Sequence, residues 1–472
     1  MKGADVETHN SRDARHLLRE AFRGWYHAER LGTPLSGLFL FELMKGGNEQ
    51  SVRSRSNGFL MMLVDQLRES DPESAELLLA HYVDRESTPS MMQRFGLSAD
   101  ELRRKQSQAL GRVSEIYGAL EQSHLVKFQN RLDHLLPQYV DEEPIGIEKS
   151  VQKVENLLIS EMGNNVVALW GMGGIGKTTL AVSAIRRAMA SGYFSEVAWV
   201  SAKQSVLELD GRIRSLDRPA LSSRDCLMAL VDQLLDFDFI GGISSQDAEI
   251  ALREKLQERR HLIVIDNLET LYDVQGLMPI LRISHPGRIL ITSRERYDAV
   301  NFIHHYSVAE LDEAASIRLL RRTASQDEVE QVIQADDATL RIAYQKIGGN
   351  PLALRLFVGQ ALHSDLQKLV HDLERGESNI TQTLYRFIFE RAWQSLGEET
   401  QQVFMSMVFT SAAGDRASDV MATTGLPREM VMVGLDNLVR QNLVDVKRRS
   451  GVAVYTIHSL TRAFLEAKAL GR

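Results

Sequence analysis

The chain has 472 residues and a formal net charge of −8, and 44% of its residues are hydrophobic. This composition is typical of a globular protein of about three domains, and the mildly acidic balance gives no general support for binding nucleic acid or a membrane surface. Cys226 is the only cysteine, which excludes internal disulfides and cysteine-rich zinc sites. We find neither an apolar run approaching about 18 residues nor an apolar signal core at the start, so we expect a cytoplasmic protein without a membrane partner.

Residues 1–135 are predicted to form an N-terminal helical domain, since leucine, alanine, glutamate and arginine are frequent there. Within it, residues 90–95 and 99–120 are predicted helices, separated by a tight turn that ends in the capping residue Ser98. This segment resembles the helix-turn-helix of sigma-factor region 4. The resemblance implies a DNA-facing set of basic residues, namely Arg103, Arg104, Lys105 and Arg112. Acidic residues match the basic ones in number nearby, so a protein-interaction or structural bundle is favoured over DNA contact.

Two prolines and an acidic cluster in residues 135–146 predict a linker, and a second domain is assigned to residues 136–310. Its first feature is an apolar run at 166–170 that enters the sequence Gly-Met-Gly-Gly-Ile-Gly-Lys-Thr at 171–178. This matches the phosphate-loop pattern G-x-x-x-x-G-K-[ST], followed by a helical pattern as the motif requires. Lys177 is predicted to reach the β- and γ-phosphates, and the Thr178 hydroxyl to hold Mg²⁺. The sequence therefore predicts that the protein binds a nucleoside triphosphate or diphosphate.

Beyond this loop, apolar runs alternate with helical patterns, which predicts an α/β fold with a parallel sheet and the ligand at the carboxyl ends of the strands. Five candidate strands are found at 166–170, 196–201, 261–266, 288–292 and 305–308. Asp266 ends its strand where a carboxylate can hold Mg²⁺, and Arg294 follows the next strand, where it can sense a γ-phosphate. Glu269 is a candidate water-activating base, with a surface carboxylate as the alternative. His304 and His305 are assigned to a strand edge, not to a metal site.

These motifs, in this order, resemble the NB-ARC branch of the STAND ATPases, which includes plant resistance proteins, apoptosome scaffolds and bacterial relatives. The resemblance runs from about residue 144 to residue 469. It implies a P-loop NTPase sheet of the AAA+/STAND type with a helical lid at 311–378 and a winged-helix domain at 379–472. It also implies ATP or ADP and Mg²⁺ as bound ligands. The implied catalytic residues are Lys177, Asp266, Asn267, Glu269 and Arg294.

The same resemblance implies a nucleotide site drawn from several domains. Ile145 and Gly146 correspond to the adenine-contacting entry motif, and Pro351, with Leu352 beside it, to the proline that lies against adenine. His458 corresponds to the histidine that contacts the β-phosphate of ADP in the resting state. The loop residues implied in binding are Gly171, Gly173, Gly174, Ile175, Gly176, Lys177, Thr178 and Thr179, together with Arg294.

Two positions depart from the family pattern. Asn267 stands where a second acid is frequent, and an amide positions water but does not act as a base, so hydrolysis is expected to be slow or to depend on Glu269. Ser459 stands where the family has an aspartate beside the histidine, which removes a negative charge from the closed state.

The C-terminal unit is predicted to contain helices at 417–424 and 428–440 and a hairpin at 444–457 with Ser450 and Gly451 in its turn. Its wing carries three basic residues that offer a further DNA contact, namely Lys447, Arg448 and Arg449. We find no internal repeat in the sequence. The protein is therefore expected either to sense its trigger through another protein or to have a sensor outside this sequence.

The sequence predicts a nucleotide-operated signalling switch, closed with ADP and opened by exchange for ATP, that oligomerises and presents its N-terminal domain, with slow hydrolysis as the reset. Bacterial defence or signalling is the expected setting, with an unidentified protein as trigger or effector. One alternative is a transcription regulator in which the ATPase controls DNA binding by the N-terminal helices. The other, a small-molecule kinase, is disfavoured because no acceptor-substrate constellation is visible.

Overall fold

The computed structural model describes seventeen stretches of the chain, and every structural statement below refers to them. They are residues 4–26, 33–36, 38–43, 51–137, 143–160, 163–203, 205–207, 213–215, 222–235, 244–283, 286–297, 301–374, 389, 391–411, 414–441, 443–449 and 452–469. None of the helices in these stretches is both long enough and apolar enough to cross a membrane.

The described residues between 4 and 135 are mainly helical, as predicted for the N-terminal region. The helices are α1 (Ala4–Arg23), α2 (Phe39–Leu43), α3 (Val52–Ser70), α4 (Pro72–Leu78), α5 (Thr88–Phe95) and α6 (Ala99–Leu135), with a π-helical turn at Leu79–Val83. Between α5 and α6, Gly96 adopts a left-handed conformation with φ 66°, and Ser98 and Glu101 form a capping box that starts α6. Two helices separated by a tight turn are therefore present at the predicted positions, while a helix-turn-helix that binds DNA stays a prediction.

Helix α6 is longer than predicted. It has 37 residues and ends at Leu135, whereas the amphipathic pattern predicted an end near residue 120. Its first half packs in the N-terminal core through Ala109, Val113 and Tyr117. Its last turn and the cap residue bury Leu132 and Leu136 in the core of the following α/β region. The helix continues because each of the two cores supplies apolar partners for one part of it. The amphipathic pattern of the N-terminal domain alone does not reveal the second core.

The α/β region, residues 148–307, is built on a five-stranded sheet in the order β2-β5-β6-β1-β7, and every pairing in it is parallel. Its strands are β1 (Val166–Trp170), β2 (Glu196–Ser201), β5 (His261–Asp266), β6 (Arg288–Ser293) and β7 (Ile303–Ser307). All residues of β1, β5 and β6 are buried, as expected for strands covered on both faces by helices. All five predicted strands are confirmed, and His304 and His305 lie on the edge strand β7 as assigned.

Helices flank this sheet, and a small separate hairpin lies beside it. The helices are α7 (Glu148–Ile159), α8 (Lys177–Ala190), α9 (Ser223–Leu234), α10 (Ser245–Glu258) and α11 (Met278–Leu281). The hairpin consists of β3 (Ser205–Leu207) and β4 (Ile213–Ser215). The fold class is thus α/β with a parallel sheet, combined with all-α regions, as predicted.

Five helices follow the sheet and are called the lid helices below: α12 (Glu313–Gln326), α13 (Glu330–Ile333), α14 (Asp337–Ile347), α15 (Pro351–Ala361) and α16 (Leu366–Glu374). The C-terminal region has helices Arg391–Ser395, Glu398–Ser406, Ala417–Thr424, Arg428–Arg440 and Ser459–Ala469, and the hairpin of β8 (Asp445–Arg449) and β9 (Val452–Thr456). The predicted turn at Ser450 and Gly451 lies outside the described residues. One apolar cluster runs through both regions and includes Met172 and Ile175 of the phosphate loop.

Candidate nucleotide-binding site

The phosphate loop lies between β1 and α8, and glycine geometry shapes it. Gly174 and Gly176 have φ values of 75° and 96°, which favour residues without a Cβ atom. Gly171 packs against the backbone of Val308, where a Cβ atom would lie 3.2 Å from the carbonyl oxygen. The loop therefore brings its backbone to the start of α8, which has no side-chain cap and where the first N–H groups and the helix dipole favour a phosphate.

Lys177, the first residue of α8, is buried, and its Nζ atom donates to the carbonyl oxygens of Gly171 at 2.8 Å and Met172 at 3.0 Å. Burial lowers the pKa of this amine to about 8, even though the nearby carboxylate of Glu269 favours the charged form. The amine is held inside the loop, within reach of an anion bound there. Thr179, two residues further on, is half-buried on the same helix.

Asp266 ends β5 and is fully buried among hydroxyl groups. Its Oδ1 atom accepts from Thr178 at 2.8 Å and from Thr292 at 2.7 Å, and its Oδ2 atom accepts from Ser201 at 3.2 Å. Burial raises the pKa of this carboxyl above its usual value, against the opposing effect of the hydroxyl hydrogen bonds and of Lys203. The two predicted Mg²⁺ ligands, Thr178 and Asp266, are thus adjacent.

This oxygen set fits Mg²⁺, which proteins bind through one or two carboxylates together with substrate phosphates. No group of three or more His, Cys, Asp or Glu side chains able to hold a metal occurs in the described part of the chain. A cation at Thr178 and Asp266 would therefore depend on phosphate oxygens for its other ligands.

The predicted catalytic residues after β5 and β6 also come together. Asn267 has a left-handed backbone with φ 62°, and its Nδ2 atom donates to Glu269 Oε1 at 3.4 Å. The same oxygen lies 3.4 Å from Nε of Arg294, and the Glu269 side chain is only 8% exposed. Glu269 is therefore not the surface carboxylate of the alternative interpretation. Arg294 lies against the phosphate loop, since a Cβ atom at Gly173 would be 3.1 Å from its guanidinium carbon.

Lys203, which the sequence interpretation missed, lies two residues beyond the end of β2 in the same site. Its backbone N–H donates to Ser201 Oγ at 3.2 Å, and the neighbouring Ala202 N–H donates to the Asp266 carbonyl at 2.9 Å. Burial lowers its pKa, while Asp266 opposes that effect. The strand-end argument that found Asp266 and Arg294 also applies to Lys203, and extending it to β2 would have found this residue.

The lid helices contact the phosphate loop directly at the start of α15. The Leu352 N–H donates to the Gly174 carbonyl at 3.3 Å, and a Cβ atom at Gly174 would lie 2.6 Å from Leu352 Cβ. Pro351 lies beside Gly176, 3.9 Å from where a Cβ atom would be. Asn350, a second residue that the sequence interpretation missed, is fully buried and donates from Nδ2 to the Gly173 carbonyl at 3.0 Å.

Ile145 and Gly146 lie at the entry to the α/β region, against the lid helices. A Cβ atom at Gly146 would be 2.5 Å from Ala315 Cβ in α12, and Ile145 packs against the apolar cluster of the lid. Ile175 of the loop is 4% exposed within that same cluster. The entry segment, the loop and the lid are therefore in one packed unit.

His458 lies between two carboxylates from different elements. Its Nδ1 atom is 3.4 Å from Glu310 Oε1, and its Nε2 atom is 3.2 Å from Asp445 Oδ2. Glu310 belongs to the segment that joins β7 to α12, and Gly349 donates its N–H to Glu310 Oε2 at 3.4 Å. The predicted contact of His458 with a β-phosphate stays a prediction, but its position ties the C-terminal region to the segment that leads into the lid.

Three of the four basic residues assigned to a DNA face lie within ion-pair distance of a carboxylate. Lys105 pairs with Glu73, and Arg112 pairs with Asp71. Arg103 is 81% exposed and lies 4.0 Å from Asp100, while Arg104 is exposed. The other basic residues assigned to a DNA contact, Lys447, Arg448 and Arg449, belong to strand β8.

Residues 147–330 match the family model described as the NB-ARC domain. The chain is 21% identical over 361 residues to the transcription activator GutR of Bacillus subtilis, with 71% of this chain and 41% of that protein covered. It is 26% identical over 247 residues to the probable disease resistance protein RF45 of Arabidopsis thaliana, and the match covers 51% of this chain and 23% of that protein. The chain thus spans less than half the length of these curated relatives.

Solved structures with similarity to this chain have low structural scores. A STAND protein with a tetratricopeptide repeat sensor from Pyrococcus horikoshii is 19% identical with a TM-score of 0.32, covering 70% of this chain and 43% of that one. The ORC2 protein of Aeropyrum pernix is 15% identical with a TM-score of 0.36, and the match covers 71% of this chain and 97% of that one.

Proposed function

Because this chain carries an NB-ARC domain at residues 147–330, we propose that it is a STAND-type nucleotide switch that binds ATP or ADP with Mg²⁺. One observation carries the proposal. Met172 and Ile175, which belong to the phosphate loop, are 3% and 4% exposed inside the apolar cluster of the lid and C-terminal regions. A ligand that moves the loop must therefore repack a core shared with two other regions, and this favours a switch over a turnover kinase.

In this proposal the residues hold the nucleotide as follows. Loop N–H groups and Lys177 bind the β- and γ-phosphates, Thr178 and Asp266 hold Mg²⁺, and Arg294 lies where a γ-phosphate would extend beyond Gly173. Bound Mg²⁺ would neutralise charge on the phosphate oxygens. Ile145, Gly146, Pro351 and Leu352 border the nucleotide on the side of the lid.

Hydrolysis is proposed to be slow. Glu269 is the only carboxylate of the pair at positions 267 and 269, and Arg294 lies 3.4 Å from its Oε1 atom. Asn267 Nδ2 also donates to this oxygen at 3.4 Å, so the carboxylate is held in place by two neighbouring side chains. For Glu269 to act as a base, Arg294 would have to move from Glu269 toward the phosphate. This movement would slow ATP hydrolysis, and hydrolysis would then return the switch to its ADP form.

The arrangement described here corresponds to the closed form of the proposed switch, with the C-terminal region acting as a winged-helix module. Two contacts support this assignment: the His458 pairing with Glu310 and Asp445, and a hydrogen bond of 2.9 Å from the Arg296 N–H, after β6, to the Arg440 carbonyl. Glu310 and Asp445 supply the negative charge that Ser459 lacks. Opening would break both contacts and expose surfaces for oligomerisation and for an effector bound by the N-terminal helices.

Size-exclusion chromatography with light scattering tests the switch. Wild type and Lys177→Ala are compared with ADP and with a non-hydrolysable ATP analogue. We expect wild type to be a monomer with ADP and a larger assembly with the analogue, while the variant remains monomeric in both. Identical monomers under all conditions would contradict the proposal.

A second candidate is a transcription regulator, favoured by the similarity to a protein named as a transcription activator and by the helix-turn-helix elements of α5 and α6. In this candidate, Arg104 and Arg103, which is 81% exposed and lies 4.0 Å from Asp100, would contact phosphates. This candidate expects salt-dependent DNA binding that disappears in Arg103→Ala/Arg104→Ala and persists in Lys105→Ala. No DNA binding by the wild type at low salt rejects it.

A further inference from the structure

Asn350 lies at the point where the lid meets the phosphate loop, and its side chain has partners on both sides. It caps α15: its Oδ1 atom accepts from the backbone N–H groups of Leu352 at 3.1 Å and Ala353 at 3.3 Å. Its Nδ2 atom donates to the Gly173 carbonyl at 3.0 Å and lies 3.9 Å from the Met172 sulfur. The residue is fully buried.

The orientation of this amide is determined by its partners. Backbone N–H groups only donate, so the oxygen must face Leu352 and Ala353, and the NH₂ group must face the Gly173 carbonyl. Rotating the amide by 180° would leave two buried N–H groups facing a donor and a carbonyl facing an acceptor, which is unfavourable on both sides. One side chain therefore joins a helix cap to the loop in a single geometry.

We propose that Asn350 is a positioning residue that couples the phosphate loop to the lid. This inference rests on the proposed function, because it assumes that the loop binds nucleotide. Movement of Gly173 toward or away from a phosphate either breaks the bond to Asn350 or shifts the first turn of α15 with it. Neighbouring contacts act in the same direction, since the Leu352 N–H also donates to Gly174.

Two substitutions separate the cap from the coupling. Asn350→Ser keeps a hydroxyl that caps α15 but is too short to bridge to Gly173, whereas Asn350→Ala removes both functions. Asp336→Ala is the matched control, because Asp336 caps the lid helix α14 by accepting from the Thr339 N–H at 2.8 Å and is exposed. The measurement is dissociation of a fluorescent ADP analogue from the full chain by stopped flow.

We expect Asn350→Ser and Asn350→Ala to release the ADP analogue about 3 to 10 times faster than wild type, the change that loss of one buried hydrogen bond produces. Asp336→Ala should release it at the wild-type rate although it loses a cap. Asn350→Ala and Asp336→Ala should both melt at lower temperature than wild type, and Asn350→Ser, which keeps the cap but loses the bond to Gly173, should melt between Asn350→Ala and wild type. Release from Asn350→Ser at the wild-type rate overturns the proposal.

Hydrogen–deuterium exchange tests the coupling itself. In wild type, ADP should slow exchange both in residues 171–178 and in residues 351–356. In Asn350→Ser, ADP should still slow exchange in the loop but no longer in the first turns of α15. Protection of α15 that is unchanged in this variant contradicts the inference. If wild type binds neither ADP nor the ATP analogue, the proposed function itself fails, which is a distinguishable result.

Discussion

Two junctions connect the α/β region to its neighbours, and they differ in how they are built. The junction with the lid combines backbone contacts at glycines, one buried amide and the apolar side chains of Met172 and Ile175, so it is close to the phosphate loop and depends on the shape of that loop.

The junction with the N-terminal region is made mainly by one continuous helix, α6, which buries Leu132 in the second core and pairs Arg131 with Glu196 at 3.3 Å. Helix α2 also packs there, since a Cβ atom at Gly192 would lie 2.9 Å from the Phe39 carbonyl oxygen. The first junction is suited to respond to nucleotide. The second contacts Glu196, the first residue of β2, at the edge of the sheet opposite the phosphate loop.

Breaking the N-terminal junction should have the largest effect on stability. Leu132 is 4% exposed, and Leu132→Ala is expected to lower the free energy of unfolding by about 2–5 kcal/mol because it leaves a cavity. ADP affinity should change less than twofold. Chemical denaturation and ADP titration measure the two quantities, and Gln122→Ala, at an exposed position of α6, is the control. A parallel loss of affinity would show that this junction also senses the nucleotide.

Removing the phosphate-binding amine should have the next largest effect. Lys177→Ala is expected to weaken ADP binding by about 10- to 100-fold, the range for loss of a charge-assisted hydrogen bond. Isothermal titration measures this change. Lys153→Ala, which alters an exposed lysine on α7, should bind as wild type. Equal affinity in Lys177→Ala would place the ligand elsewhere.

Nucleotide affinity should also depend on pH through Lys177, whose pKa is lowered to about 8. Above that pH the unliganded amine loses its proton, so binding must take one up, and affinity should fall by up to about tenfold from pH 8 to 9. Lys177→Arg, which keeps its charge, should not show this fall.

Without nucleotide, the stability of the folded chain should change with pH in the direction opposite to the change in nucleotide affinity. The folded pKa of Lys177 lies below its unfolded value, so between about pH 8 and 10.5 the unfolded chain binds more protons. The contribution of this group to the free energy of unfolding should therefore rise with pH across that window. Chemical denaturation at pH 7.5 and 9.5 gives the free energy of unfolding of wild type and of Lys177→Met, and the value for wild type minus that for the variant measures this contribution. If that difference falls between pH 7.5 and 9.5, the amine is not buried as described.

Loosening the closed form should have the smallest effect. Glu310 and His458 are 20% and 23% exposed, so solvent weakens the pairing, and Glu310→Gln is expected to speed ADP release by about 2- to 5-fold. Asp445→Asn should act in the same direction, and the double variant should match His458→Ala. Glu328→Gln, in the loop after α12 and not paired with His458, is the control. Slower release in Glu310→Gln would mean that its carboxylate competes with the nucleotide.

Most of the candidate site could be predicted because each residue ends a buried strand or belongs to a loop of set spacing. Lys177, Thr178, Asp266 and Arg294 are brought together by a parallel sheet whose strand ends meet at one edge. Asn350 was missed because the Gly173 carbonyl that accepts its hydrogen bond lies 177 residues away in the chain. Lys203 was missed because the strand-end argument was not extended to β2.

Local sequence determined the α/β region: its apolar runs specify strands buried on both faces, and its glycines permit the phosphate loop. Only the tertiary structure decided what the two junctions do. The length of α6 depends on two separate cores, and the role of Asn350 depends on a carbonyl in the phosphate loop. Neither is visible in a pattern, because burial and hydrogen bonding between distant segments exist only after the chain has folded.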